Sequence, residues 1–167
     1  LGMPELEEDQ FVFPPLSFHF AVEVGEVGHL PEKDLLFTEA TGFGMELEVD
    51  TSMVEAGNNN RVYVLPKRVK YTDLVLKRGI VSSDSKFYKW CEETINTNYA
   101  EPIKPQNITV NLLDESGEPL ITWNFIDAFP KKMEVSALNA KASGEGAILI
   151  ETITIAYSEL TRGKKKS

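Results

Sequence analysis

Hydrophobic and polar residues alternate with a period of two along most of this chain, the signature of strands with one buried face. Leu16–Val24 sets Phe18, Phe20 and Val22 on one side against His19, Ala21 and Glu23. Met45–Asp50 sets Met45, Leu47 and Val49 against Glu46, Glu48 and Asp50. Arg61–Leu65 follows with Val62 and Val64 on one face, and Pro66 is expected to end it. Further strands are predicted at Tyr71–Leu76, Ile108–Leu113, Leu120–Phe125 and Ala147–Ala156, with a short extended piece at Lys131–Val135. Asp114–Pro119 is a polar turn in which Gly117 supplies a positive φ, and Ala128-Phe129-Pro130 is expected to stop the strand carrying Ile121, Trp123 and Phe125. Gly42-Phe43-Gly44 reads as a bend or bulge.

One segment departs from this rhythm. Between Ser83 and Asn96 the apolar residues Phe87, Trp90, Cys91 and Ile95 recur at helical spacing, which predicts a helix packing that stripe on a sheet. Ser82, Ser83 and Asp84 are competent N-caps. Asn96-Thr97-Asn98 ends the helix, and Pro102 and Pro105 prevent its continuation. The fold class that follows is mainly β: a sandwich or small barrel with one packed α-helix.

Met45–Leu65 reads as a long hairpin around the polar loop Thr51–Asn60. A carboxylate face cannot enter an apolar core, so Glu46, Glu48 and Asp50 must meet water or basic groups. The charge of the whole chain is uneven in the same sense. The net charge is −9, yet Leu1–Asn60 carries thirteen acidic residues and one lysine, while the remainder is slightly basic. A solvated acidic face explains this, and so does complementarity between copies. Nonspecific nucleic-acid binding by the acidic part is not expected, because phosphate neutralisation needs clustered Lys and Arg, and no direct specific nucleic-acid binding is expected either. No apolar run reaches the ~20 residues of a membrane-spanning helix. The 167 residues divide most simply into an acidic arm over 1–15, one β domain over 16–160 and a basic mobile tail over 161–167.

Candidate chemistry is sparse. His19 and His29 lack partners at metal-ligand spacing, so no metal site is expected. Cys91 falls on the apolar stripe, where a packed thiol is the simpler reading. Gly42-Phe43-Gly44 opens like a dinucleotide fingerprint, but Leu47 replaces its third glycine and no helix follows. The acids of Met45–Asp50 could pair with Asp114 as in a glycosidase, though no spacing favours it. Trp90 and Trp123 sit in apolar patterns that assign them to packing. No catalytic residue and no cofactor are expected. On residues alone, a ligand- or carbohydrate-binding β-module stays open as an alternative.

Five elements in order carry a resemblance: Leu76-Lys77-Arg78-Gly79 before the aromatic helix, Leu112–Pro119 (LLDESGEP), Thr122–Phe125 (TWNF), Ala128–Pro130, and Leu138-Asn139-Ala140 followed by the Ile/Thr-rich strand Ile148–Ala156. Together, over roughly 17–160, they resemble the tail tube proteins of contractile bacteriophages and phage-derived contractile injection systems, relatives of the type VI secretion tube protein. The resemblance implies a structural subunit without enzymatic activity. Such subunits are made in the cytoplasm and form hexameric rings that stack into a channel for cargo, inside a sheath and on a baseplate. It also implies that Met45–Leu65 joins the ring barrel. Met45, Leu47, Val49, Val62 and Val64 would lie at the interface, with Glu46, Glu48 and Asp50 facing the channel or a basic neighbour. The arm, the segment Gly25–Leu36 and the tail resemble additions suited to a specialised layer near the baseplate.

Overall fold

The computed structural model describes residues 19–25, 36–50, 64–79, 85–98, 100–136 and 149–164. The expected arm, the loop Thr51–Asn60, Val62, His29, Leu138–Ala140, Ile148 and the last three residues of the tail lie outside them. The described elements run in the order β1 (His19–Val24), β2 (Glu39–Thr41), β3 (Met45–Asp50), β4 (Leu65–Tyr71), β5 (Leu74–Gly79), α1 (Lys86–Asn96), β6 (Gln106–Leu113), β7 (Pro119–Val135), β8 (Ile150–Ala156) and β9 (Glu159–Lys164).

All strand pairs are antiparallel, and β7 organises them. Its first half lies between β6 and β9, with β1 beyond β6. Its second half pairs with β8, which leads on to β5 and β2. The two halves face each other. Val22, Ile108, Val110, Phe125 and Leu160 from one meet Leu74, Leu76, Ile153 and Ile155 from the other in a single buried cluster. Each such side chain, fully withdrawn from water, is worth about 1.5–3 kcal/mol. This is the β-sandwich with one packed helix that the alternation predicts.

Two prolines and one strand end differ from expectation. Pro130 does not stop its strand: β7 passes through it, with the pairing irregular between Pro130 and Lys132 and a positive φ of 51° at Asp127. Pro130 stands just after β7 exchanges β6 for β8 and beside an irregularity in the pairing, the setting in which a strand tolerates a missing N–H. Pro66 does not end a strand either. It lies inside β4, whose partner β3 occupies one edge only. Proline is tolerated in edge strands and at bulges, and Pro66 faces Val49 just beyond the register shift. Finally, Leu160 is not the last ordered residue, since β9 continues to Lys164 along β7.

The helix also begins later than expected. Ser85 is its N-cap, with the hydroxyl accepting from the Tyr88 N–H at 3.2 Å. Phe87, Trp90 and Cys91 are buried, but the fourth buried position is Thr94; Ile95 is 39% exposed. At 100° per residue Thr94 falls between Phe87 and Trp90 on the helical wheel, whereas Ile95 lies at the margin. Thr94 tolerates burial because its hydroxyl donates to the Trp90 carbonyl at 2.7 Å.

A buried ion pair joins helix and sheet. Arg78 on β5 lies directly opposite Glu151 on β8, their side chains 1% and 6% exposed, with Arg78 Nε donating to Glu151 Oε2 at 2.8 Å. The guanidinium also reaches the capping hydroxyl of Ser85 and lies over the rings of Phe37 and Phe87, at 5.5 and 5.3 Å from their centres. Both residues have the strand parity of their core neighbours: Arg78 matches Leu74 and Leu76, and Glu151 matches Ile153 and Ile155. Opposite charges at core positions of adjacent strands are a signal that sequence reasoning passed over.

Candidate assembly surface

β3 and β4 form a two-stranded sheet separate from the main one. They are nonetheless the outer half of one long ribbon. The inner half is β2 paired with β5. From Glu39↔Lys77 to Leu47↔Val69 the register never slips: the residue numbers of each pair add to the same total. It shifts only beyond Leu47, where Val49 faces Pro66 and Asp50 faces Leu65. The second strand of the hairpin runs on past Pro66 as Leu65–Tyr71, while residues 61–63 of the expected strand lie outside the described residues. Val64 stands just before it, 54% exposed.

The ribbon bends where its halves meet. Gly42 has a φ of +97°, and a Cβ there would stand 1.9 Å from the Asp73 carbonyl oxygen. Only glycine permits this approach. Thr72 N–H donates to the Gly44 carbonyl at 3.0 Å, and Lys131 pairs with Asp73. Tyr157 donates its hydroxyl to the Thr72 carbonyl at 2.6 Å, and packs against Tyr71 and Phe125. Phe43 packs on Trp123 and Phe125. The base of the arm is thus clamped to the body while the arm itself projects.

The two faces of the arm differ in kind. One is apolar and uncovered: Met45, Leu47, Val49 and Val69 are 63, 52, 48 and 48% exposed. The other carries Glu46, Glu48 and Asp50, and β4 supplies the bases that meet them. Arg68 bonds Glu48 at 2.8 Å, Lys67 stands 3.5 Å from Asp50, and Lys70 is the cross-strand partner of Glu46. The hydrogen bond from Arg68, aided by the charges of Lys70 and Lys67 against some desolvation, holds the Glu48 carboxyl below its ordinary value. The expected acidic face is therefore half of a mixed one. Its basic neighbour belongs to the same hairpin, and it was missed because the strand was expected to stop at Pro66.

Candidate chemistry elsewhere is thin. Among the described residues no three His, Cys, Asp or Glu side chains group as metal ligands. No described helix is long and apolar enough to cross a membrane. His19 is exposed at the start of β1. Burial drives the Cys91 thiol pKa far upward, with the Arg78 charge opposing it and Glu151 adding to it. Asp114 caps its own turn, accepting from the Ser116 hydroxyl at 2.6 Å and from the N–H groups of Ser116 and Glu118.

A clamped ribbon with one exposed apolar face is the candidate assembly surface of this fold. The chain belongs to the T4-like virus tail tube protein gp19 family, whose model matches residues 16–161. Among curated proteins no sequence matches it. Its fold is similar to a chain of the anti-feeding prophage baseplate, at 22% identity and a TM-score of 0.72, covering 93% of this chain and 99% of that one. It is similar to a chain of the PVC sheath–tube complex of an extracellular contractile injection system, at 20% identity and 0.70, covering 92% and 94%. It is also similar to Hcp1 from Salmonella typhimurium, at 12% identity and 0.52, covering 89% and 87%. The family is a structural one, and the ligand-binding alternative gains no support from it.

Proposed function

We propose that this protein is the repeating subunit of the inner tube of a phage tail or related contractile particle, and that its copies close into stacked hexameric rings through the ribbon arm. The uncovered apolar face of the arm carries the proposal. A hairpin standing alone is marginal in water. Covering Met45, Leu47, Val49 and Val69, each about half exposed, against a second copy offers on the order of 1 kcal/mol apiece. A long free strand edge is an invitation to pair, and ring closure removes it. Residues 45–50 and 64–71 then lie at the subunit boundary. The side of the body carrying α1, with Phe87, Trp90 and Cys91 packed inward, faces away from the channel towards the sheath. The baseplate and sheath–tube complexes that supply the structural relatives fit such surroundings, and the channel carries the cargo.

Purified protein imaged by electron microscopy tests this directly. Rings of sixfold symmetry or tubes are expected. Leu47→Lys with Val69→Lys should abolish them while leaving circular dichroism and the melting temperature of the monomer unchanged. Wild-type protein that stays monomeric at high concentration, or a double variant that still forms rings, would refute the proposal.

A further inference from the structure

The bend in the ribbon decides which residues share a side. In the body, Ala40 and Leu76 turn into the core, and their neighbours Glu39, Thr41, Val75 and Lys77 turn outward. Side chains alternate at every step along a strand. Phe43 and Tyr71 again turn to the core, three residues from Ala40 and from Leu74 respectively. Both strands therefore invert their alternation together at the bend, which is why the register survives it. The apolar row of the arm continues the core-facing side. The charged row continues the outward side.

On that outward side of the body, Glu39, Lys77, Thr152 and Glu134 form one row across β2, β5, β8 and β7. Lys77 pairs with Glu39 at 3.1 Å and Lys132 with Glu134 at 2.9 Å. Along the arm the same side carries the Glu48–Arg68 and Asp50–Lys67 pairs, and Glu46 opposite Lys70. Every carboxylate in this set has a base beside it in its own subunit, and the two signs are equal in number.

We infer that the channel wall contributed by these residues is an ion-paired, charge-balanced surface that does not sort macromolecular cargo by the sign of its charge. The inference rests on the ring reading above: once the apolar side is consumed by a second copy, the outward side is left to face the channel. A row of unpaired carboxylates repeated around a ring would build a strong negative field, concentrating cations and repelling anions. Opposite charges about 3 Å apart leave only a dipolar field, and salt screens this further over about 8 Å. The charged groups nonetheless keep their hydration. The wall is therefore largely polar and wet, interrupted by Val75 and Ile150, and favours neither polyanions nor polycations.

The test uses open-ended tubes soaked with gold clusters of one size bearing cationic or anionic coats, with positions inside and outside the tube read by cryo-electron microscopy. Wild-type tubes should admit both within about twofold of each other. Lys67→Glu, Arg68→Glu and Lys70→Glu together make the wall acidic, and should shift luminal entry towards the cationic clusters by about tenfold or more. Where that triple variant does not assemble, Lys77→Glu with Lys132→Glu applies the same change on the body sheet, away from the arm. Wild-type tubes that already exclude anionic clusters would overturn the inference. So would variants that alter gold decoration only on the outer surface, although rings would still form. Wild-type protein without tubes would instead remove the ring reading, and the inference with it.

Discussion

Arg78→Met removes one partner of the ion pair that joins α1 to the sheet. It leaves Glu151, 6% exposed, as a carboxylate without its guanidinium and shut away from water. Breaking a buried pair in this way costs about 3–5 kcal/mol, because the surviving charge keeps its desolvation penalty and loses its compensation. For a chain of this size each kcal/mol lowers the melting temperature by about 2–4 °C, so a fall of roughly 6–20 °C is expected. The capping hydroxyl of Ser85 loses a donor in the same step, and the rings of Phe37 and Phe87 lose the cation between them. The second substitution separates this account from simple loss of packing. Arg78→Met combined with Glu151→Leu puts apolar side chains on both strands at the same cross-strand pair, and such replacements are often neutral or stabilising. The double variant should therefore recover most of the loss, with a coupling of about 3 kcal/mol. Urea unfolding at one fixed protein concentration is the assay, since association would otherwise shift the apparent stability. Single variants that each cost under about 1 kcal/mol, or a double variant whose loss equals the two added together, would refute the reasoning.

Gly42→Ala places a Cβ against the Asp73 carbonyl at a positive φ; a loss of at least about 1–3 kcal/mol is expected by calorimetry, with ring formation falling alongside. Cys91 should resist alkylation at pH 8 in the native protein by about 100-fold or more relative to the urea-unfolded chain, because burial raises its pKa and keeps it a thiol. Asp114 is held below the ordinary aspartate pKa, first by the Ser116 hydroxyl and then by N–H groups of its turn. Its stabilising effect is thus present above the unfolded value of about 3.9 and is lost as pH falls through the lower folded value. An NMR titration midpoint at or above the ordinary value would count against that assignment, and Asp114→Asn should flatten the acid limb of the stability profile.

Much of the β framework was legible in the chain because alternation is a local signal. Ile108 and Val110, and Ile153 and Ile155, occupy the faces their spacing implies. What escaped depended on partners. Pro66 and Pro130 look like strand ends until it is known that one lies on a free edge and the other at a change of neighbour. Arg78 and Glu151 look like solvated charges until their two strands are placed side by side. Ile95 joins the apolar stripe by its hydrophobicity, whereas the helical angle puts the polar Thr94 nearer the centre of the buried face. The acids at 46, 48 and 50 were visible, but their bases were hidden by the misplaced strand end. The first strand of the ribbon was therefore legible in the chain, while the charge of its polar face was misread.

The fixed register through the bend has a mechanical meaning. Between the pairs Thr41↔Val75 and Met45↔Tyr71 both strands span the same number of residues, so tilting the arm need not slide one strand past the other or break a cross-strand pair. The segment works as a joint whose angle is set by a few contacts, Gly42, Gly44, Thr72, Asp73 and Tyr157, while the length and pairing of the arm stay constant. Changes confined to that joint could re-aim the same arm to meet a layer of different diameter, leaving the rest of the subunit untouched.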